Sequence, residues 1–181
     1  MRHMLIVDAN YVFFNQKRID YLLYKKEVER ALQKRIVESH YVENSPNLDT
    51  GKQQAFFSWL RAAEPHGPHF QVHILPLRDV IFDCPKCRER TRKQIIDGVE
   101  TKVISLMLKL AFQDKFDRLI LLAGDPIYVE TIRYLKDELK RKVVISGFEG
   151  AVSLDLQSAS DFVIWIDKFY DKIERHRSPG P

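Results

Sequence analysis

The sequence predicts an α/β fold: a doubly wound, mostly parallel central sheet flanked by helices in a single domain. Three observations lead there. Met4-Leu5-Ile6-Val7 and Leu119-Ile120-Leu121-Leu122 are continuous aliphatic runs bounded by turn-type residues, the pattern of strands buried on both faces. Between such runs lie segments whose apolar residues recur at helical spacing. Strand and helix then alternate along the whole chain, as repeated βαβ units require.

Each element has its own signal. After the first strand, Leu22, Leu23, Val28, Ala31 and Leu32 predict a helix within 19–34. The β-branched and aromatic residues Ile36, Val37, Tyr41 and Val42 predict a strand over 35–43, closed by Asn44-Ser45-Pro46-Asn47. Ala55, Phe56, Trp59, Leu60 and Ala63 form one face of a helix over 51–64, with Thr50 as its expected N-cap. Pro65-His66-Gly67-Pro68 ends that helix, and 70–77 reads as the third strand. A polar excursion follows over 78–93, expected as an insertion. Val99, Val103, Leu106, Met107 and Leu110 predict a helix over 99–112, and 118–123 the next strand. Val129, Ile132, Leu135 and Leu139 mark a helix over 128–139. Strands are expected at 142–146 and 162–166, then a helical stretch from Asp167. The domain is therefore expected to span 1–175, with 176–181 a flexible tail.

The bulk composition narrows the class. The chain has 181 residues, 45% hydrophobic and 30% charged, which is ordinary for one globular domain. No stretch approaches the roughly 18 apolar residues of a membrane helix, so a cytoplasmic protein with no membrane partner is expected. Lys and Arg number 29 against 25 Asp and Glu, a net charge of +4 that is compatible with nucleic acid. Lys86, Arg88, Arg90, Arg92 and Lys93 are clustered, as either a solvated loop or a phosphate-contacting one. The two cysteines form Cys84-Pro85-Lys86-Cys87. Zn²⁺ completed by His66, His69 or His73, a redox pair, and an unmetallated thiol pair are the three readings.

The chemistry-bearing residues are acidic. Asp8 and Asp125 each follow a buried strand run, where open α/β sheets place their ligand crevice. Glu100 lies in the first turn of the 99–112 helix, where the helix dipole favours a carboxylate. Together they suggest an acidic pocket suited to a divalent cation. Carboxylates crowded in a partly desolvated crevice repel one another, which favours binding a hard cation.

These residues also carry a resemblance. Ile6-Val7-Asp8-Ala9-Asn10 resembles the opening of PIN-like nucleases, and Gly98-Val99-Glu100 resembles the segment that begins the central helix of their NYN branch, the LabA-like proteins in particular. Leu121-Leu122-Ala123-Gly124-Asp125, and Ser153 to Asp167 with Asp161 and Phe162, resemble that branch's later motifs. The resemblance implies a metal-dependent ribonuclease (an endoribonuclease, a hydrolase acting on ester bonds) that uses Mg²⁺ or Mn²⁺ on RNA. It implies Asp8, Glu100 and Asp125 as catalytic ligands and Asn10 as a supporting residue. Asp97 and Asp161 are further candidate ligands. Lys102, Arg88, Arg90, Arg92 and Lys93 are candidate phosphate contacts, and a homodimer is among the expectations. One departure stands out: Ile127 occupies the position of a second aspartate in the branch's Gly-Asp-Ser-Asp-Phe motif.

The alternatives are a catalytically degenerate member that binds RNA or protein, a Rossmann-type enzyme, and a receiver-type domain. The Rossmann reading is weakened because no Gly-x-Gly-x-x-Gly follows the first strand. The receiver reading gives the Gly98-Val99-Glu100 segment no place.

Overall fold

The computed structural model describes residues 1–45 and 51–175. Its centre is β1 (His3–Asp8), whose Met4 to Val7 have no solvent exposure. Alternation along that strand divides the interior in two. Met4 and Ile6 pack with Val103, Met107, Leu121 and Ile132 on one face, and Leu5 and Val7 with Tyr24, Val28, Ile120 and Leu122 on the other. A strand that must bury both faces is aliphatic throughout, as this one is.

Asp8 closes β1 and caps the short helix α1 (Ala9–Phe14), accepting a hydrogen bond from the Tyr11 amide. Asp20 caps α2 (Tyr21–Leu32) in the same way, through the Leu22 and Leu23 amides. The chain continues through β2 (Ile36–Ser45), α3 (Gly51–Arg61) and β3 (Gln71–Pro76). The expected cap Thr50 and the Pro46-Asn47 punctuation lie outside the described residues, as does the expected tail.

The 78–93 segment, expected as a polar excursion, is instead an antiparallel ribbon of β4 (Arg78–Asp83) and β5 (Arg90–Ile95). Both strands are exposed over almost their whole length, so no alternation betrayed them in the sequence. The next elements are α4 (Val99–Phe112), β6 (Arg118–Leu122), a 3-10 turn at Pro126–Tyr128 and α5 (Val129–Asp137). After these come β7 (Lys142–Gly147), α6 (Leu154–Ala159) and β8 (Phe162–Trp165). A 3-10 segment (Ile166–Phe169) and α7 (Tyr170–Ile173) close the described chain. Gly98 sits at φ +89 just before α4, a backbone conformation that a side chain would strain.

The main sheet has the order β3-β2-β1-β6-β7-β8, and every neighbouring pair is parallel. The chain winds outward from β1 to β3, then returns to β1's other side at β6 and winds outward again. The winding reverses between β1 and β6, the two strands written as continuous aliphatic runs. At such a reversal the loops leaving the two carboxyl ends diverge and open a crevice.

Candidate functional site

The crevice at that reversal is a cleft of about 510 Å³, lined among others by Asp8, Asn10, Tyr11, Phe14, Glu100 and Asp125. β1 delivers Asp8, the first turn of α4 delivers Glu100, and the loop leaving β6 delivers Asp125. The three acidic residues singled out in the sequence thus share one cleft, although they come from three separate parts of the chain.

Asp8 is the buried member, 3% exposed. Its Oδ2 accepts a hydrogen bond from the Tyr128 hydroxyl at 2.7 Å, and its Oδ1 accepts one from the Tyr11 amide at 3.2 Å. Burial pushes the Asp8 carboxyl above the ordinary carboxylate range, the two hydrogen bonds pull it back, and the charge of Glu100 pushes it up again. Tyr128 is held far above the usual phenol range by burial and by the negative charge of Asp8. It is a permanent donor at neutral pH. Asp125 is exposed, with Oδ1 accepting from the Ile127 amide at 2.8 Å.

A second set of contacts fixes the cleft's shape. Asn10 Nδ2 donates to Asn44 Oδ1 at 3.1 Å, and Asn44 Nδ2 donates to the Asp97 carbonyl at 3.0 Å. This bridge ties the start of α1 to the loop that presents Glu100. Sequence reasoning missed Asn44 and Tyr128. Asn44 looked like turn punctuation, and Tyr128 like the first residue of a helix. The available signal for Tyr128 was a hydroxyl-bearing residue three positions after Asp125.

The remaining candidates fall elsewhere. The Asp97 carboxylate pairs with Arg78 at 3.2 Å. Asp161 lies at the amino end of β8, accepting from the Val143 amide at 2.7 Å and pairing with Lys136 at 3.2 Å. That is the sheet end opposite the cleft. Lys102 lines a different groove of about 270 Å³, with His40, His73 and Lys109. His40 Nδ1 and His73 Nε2 are 3.1 Å apart there, and burial lowers the His73 pKa to about 4. Arg88, Arg90, Arg92 and Lys93 belong to the ribbon and its tip; Arg90 pairs with Asp83 across the ladder, and Arg92 with Asp79.

His73 is therefore occupied with His40 rather than with Cys84 and Cys87. Among the described residues no group of three or more His, Cys, Asp or Glu is disposed to hold a metal ion, and this holds for the cysteine pair and for the acidic cleft alike. No helix among them is long and apolar enough to cross a membrane.

Replacing Tyr128 with Phe tests the electrostatics directly. The hydroxyl stabilises ionised Asp8, so Tyr128→Phe should raise the Asp8 pKa further. An NMR titration of the Asp8 carboxyl should show its midpoint moving to higher pH than in the wild type. An unchanged midpoint would mean that the 2.7 Å contact carries no electrostatic weight.

Comparison with known proteins agrees with this architecture. The sequence model of the NYN domain matches residues 2–167. A crystal structure of a protein of unknown function, VPA0982 from Vibrio parahaemolyticus RIMD 2210633, superposes with a TM-score of 0.69 at 19% identity, covering 92% of this chain and 93% of that one. MurG of Acinetobacter baumannii is a more remote match, with a TM-score of 0.42 and 11% identity over 90% of this chain and 41% of that one. No curated protein matches the sequence.

Proposed function

Because the chain belongs to the NYN domain family, a branch of the PIN-like nuclease superfamily, we propose that it hydrolyses RNA phosphodiester bonds with Mg²⁺ or Mn²⁺ at the Asp8–Glu100–Asp125 cleft. The observation that carries this reading is Asp8 itself, a buried carboxylate at the sheet's reversal point whose ionisation is opposed by burial and by Glu100. A cation in the cleft would relieve that opposition.

The donor set suits a hard divalent ion in its chemistry, though its three side chains are not drawn together around one point. It consists of carboxylate oxygens, and Mg²⁺ is commonly held by one or two carboxylates while keeping several waters. Bound there, the ion would orient a scissile phosphate and acidify an attacking water. The protein's own groups do the rest. Tyr128 and the Tyr11 amide aim the Asp8 carboxylate. The Asn10–Asn44 bridge holds the α4 start in place. Asp97 and Asp161 are left out of the proposed ligand set because each is already committed to a cation partner.

Single-stranded RNA fits the surroundings. Phe13 and Phe14, 69% and 61% exposed, meet edge to face at the tip of α1. Phe14 lines the carboxylate cleft. Phe13 lines a second pocket of about 460 Å³ with Tyr21, Tyr41, Phe56, Lys17 and Arg18. Exposed rings beside cations form the usual track for bases and phosphates of a single strand.

A second reading, an RNA binder without turnover, is favoured by two observations. Both Asp8 oxygens are already engaged, and Ile127, 53% exposed, brings no carboxylate. One experiment separates the readings: labelled single-stranded RNAs are incubated with the protein in Mn²⁺ or in EDTA, with binding followed in parallel. Cleavage that requires the metal is the expected result. Binding without cleavage across several RNAs would select the second reading.

A further inference from the structure

The β4–β5 ribbon calls for an explanation that the cleft does not supply. Its strands are six residues each and exposed over almost their whole length, Ile81 and Phe82 included, so it buries little apolar surface. An isolated two-stranded ribbon is only marginally stable in water. The sequence nevertheless puts both of its cysteines at the tip, just beyond the last ladder pair, Asp83 and Arg90.

The tip is a closed turn. The Cys84 amide donates to the Glu89 carbonyl at 2.9 Å, the Arg88 amide donates to the Cys84 carbonyl at 2.8 Å, and Arg88 takes the left-handed φ of +58. Within this turn the amides of Cys87 and Lys86 face the Cys84 sulfur. Cys84 is half-buried and Cys87 exposed, so neither belongs to the core. Two thiols with two residues between them, on one tight turn, match half of a tetrahedral four-sulfur site.

The other half is not found among the described residues. Among the described residues no third His, Cys, Asp or Glu joins the pair, and the sequence contains no further cysteine. We propose that two copies of this chain meet tip to tip and share one Zn²⁺, each copy contributing Cys84 and Cys87.

Charge supports a second copy as the partner. Four thiolates around Zn²⁺ leave a net charge of about −2. Lys86 and Arg88, both exposed, would surround that centre from each tip. Without metal the same cations repel, so the contact is conditional on zinc. The ribbon is a sheet of its own, separate from the main one, and its tip residues Pro85 to Arg90 are exposed and so open to a second protomer. This inference makes no use of the carboxylate cleft and stands or falls separately from the nuclease reading.

The test uses the full chain, purified without chelator and kept under reducing agent so that no intermolecular disulfide persists. Zinc content is measured by elemental analysis, and mass by light scattering, with Zn²⁺ and after chelation. The expected result is about 0.5 zinc per chain in a dimer that becomes monomeric on chelation, with Co²⁺ substitution giving the absorption of a tetrahedral four-thiolate centre. Cys84→Ser should be monomeric and zinc-free, with an unchanged melting temperature because the tip lies outside the core. Zinc-free protein, one zinc per monomeric chain, or a dimer that survives both chelation and Cys84→Ser would overturn the proposal.

Discussion

Asp8→Asn should reduce metal-dependent RNA cleavage by about 10²- to 10³-fold, the scale of loss when one preorganised electrostatic group is removed from a reacting centre. The fold should not suffer. Asparagine caps helices as well as aspartate does, so the Tyr11 amide keeps its acceptor, and the Tyr128 hydroxyl can turn to accept from the new amide. Stability should in fact rise in metal-free buffer at neutral pH. The folded-state pKa of Asp8 lies above its ordinary value of 3.8, so the native protein is penalised for ionising it. That penalty is fully present above the raised pKa and disappears as pH falls below the ordinary value. The melting temperature of the variant should therefore exceed that of the wild type near pH 7, and the two should converge in acid. Adding Mn²⁺ should stabilise the wild type and leave the variant unmoved. If both proteins cleave equally, the cleavage does not come from this cleft.

Gly124→Ala should be the most damaging single change to the fold near the site. A Cβ at this position would lie 2.0 Å from the Ala151 carbonyl oxygen and 2.4 Å from the Tyr11 ring. The first obstacle is backbone, and the second is a ring held in place by the hydrogen bond its hydroxyl accepts from the Phe148 amide at 2.8 Å. Neither can yield cheaply. Overpacking a tight site costs about 1–3 kcal/mol and sometimes more, and this contact belongs at the upper end. Urea unfolding should show the free energy of unfolding lowered by that amount and the midpoint shifted down with it, with RNA cleavage lost because Asp125 is the next residue. An unchanged midpoint would show that the β6 exit and the Ala151 loop can separate freely.

The sequence carried the main sheet well because its strands are buried on both faces, and such strands can only be written in aliphatic residues. Leu119 to Leu122 could hardly be anything else. The acidic cleft was legible for a related reason: a strand's end fixes where its next residue must lie, so Asp8 and Asp125 inherited their positions from the strands before them. α1 was not foreseen. Asn10-Tyr11-Val12-Phe13-Phe14 has poor helix formers and only six residues with Ala9, and it is held by its Asp8 cap and by packing rather than by propensity. The β4–β5 ribbon escaped notice because alternation appears only where one face is buried. Asp161 was a further candidate ligand, yet it precedes its strand where Asp8 ends one, and in a parallel sheet that difference is the full length of the strands.

The position of β1 has a consequence for how the protein is made. It hydrogen-bonds to β2 on one side and β6 on the other, and Met4 to Val7 are wholly enclosed. During synthesis β2 follows within a few dozen residues, but β6 ends at Leu122. At about 5–20 residues per second, the nascent chain carries an aliphatic strand open on its β6 side for on the order of ten seconds. Over that interval β1 presents to the cell an open edge and two greasy faces. Correct pairing thus depends on β1 staying shielded until β6 has emerged.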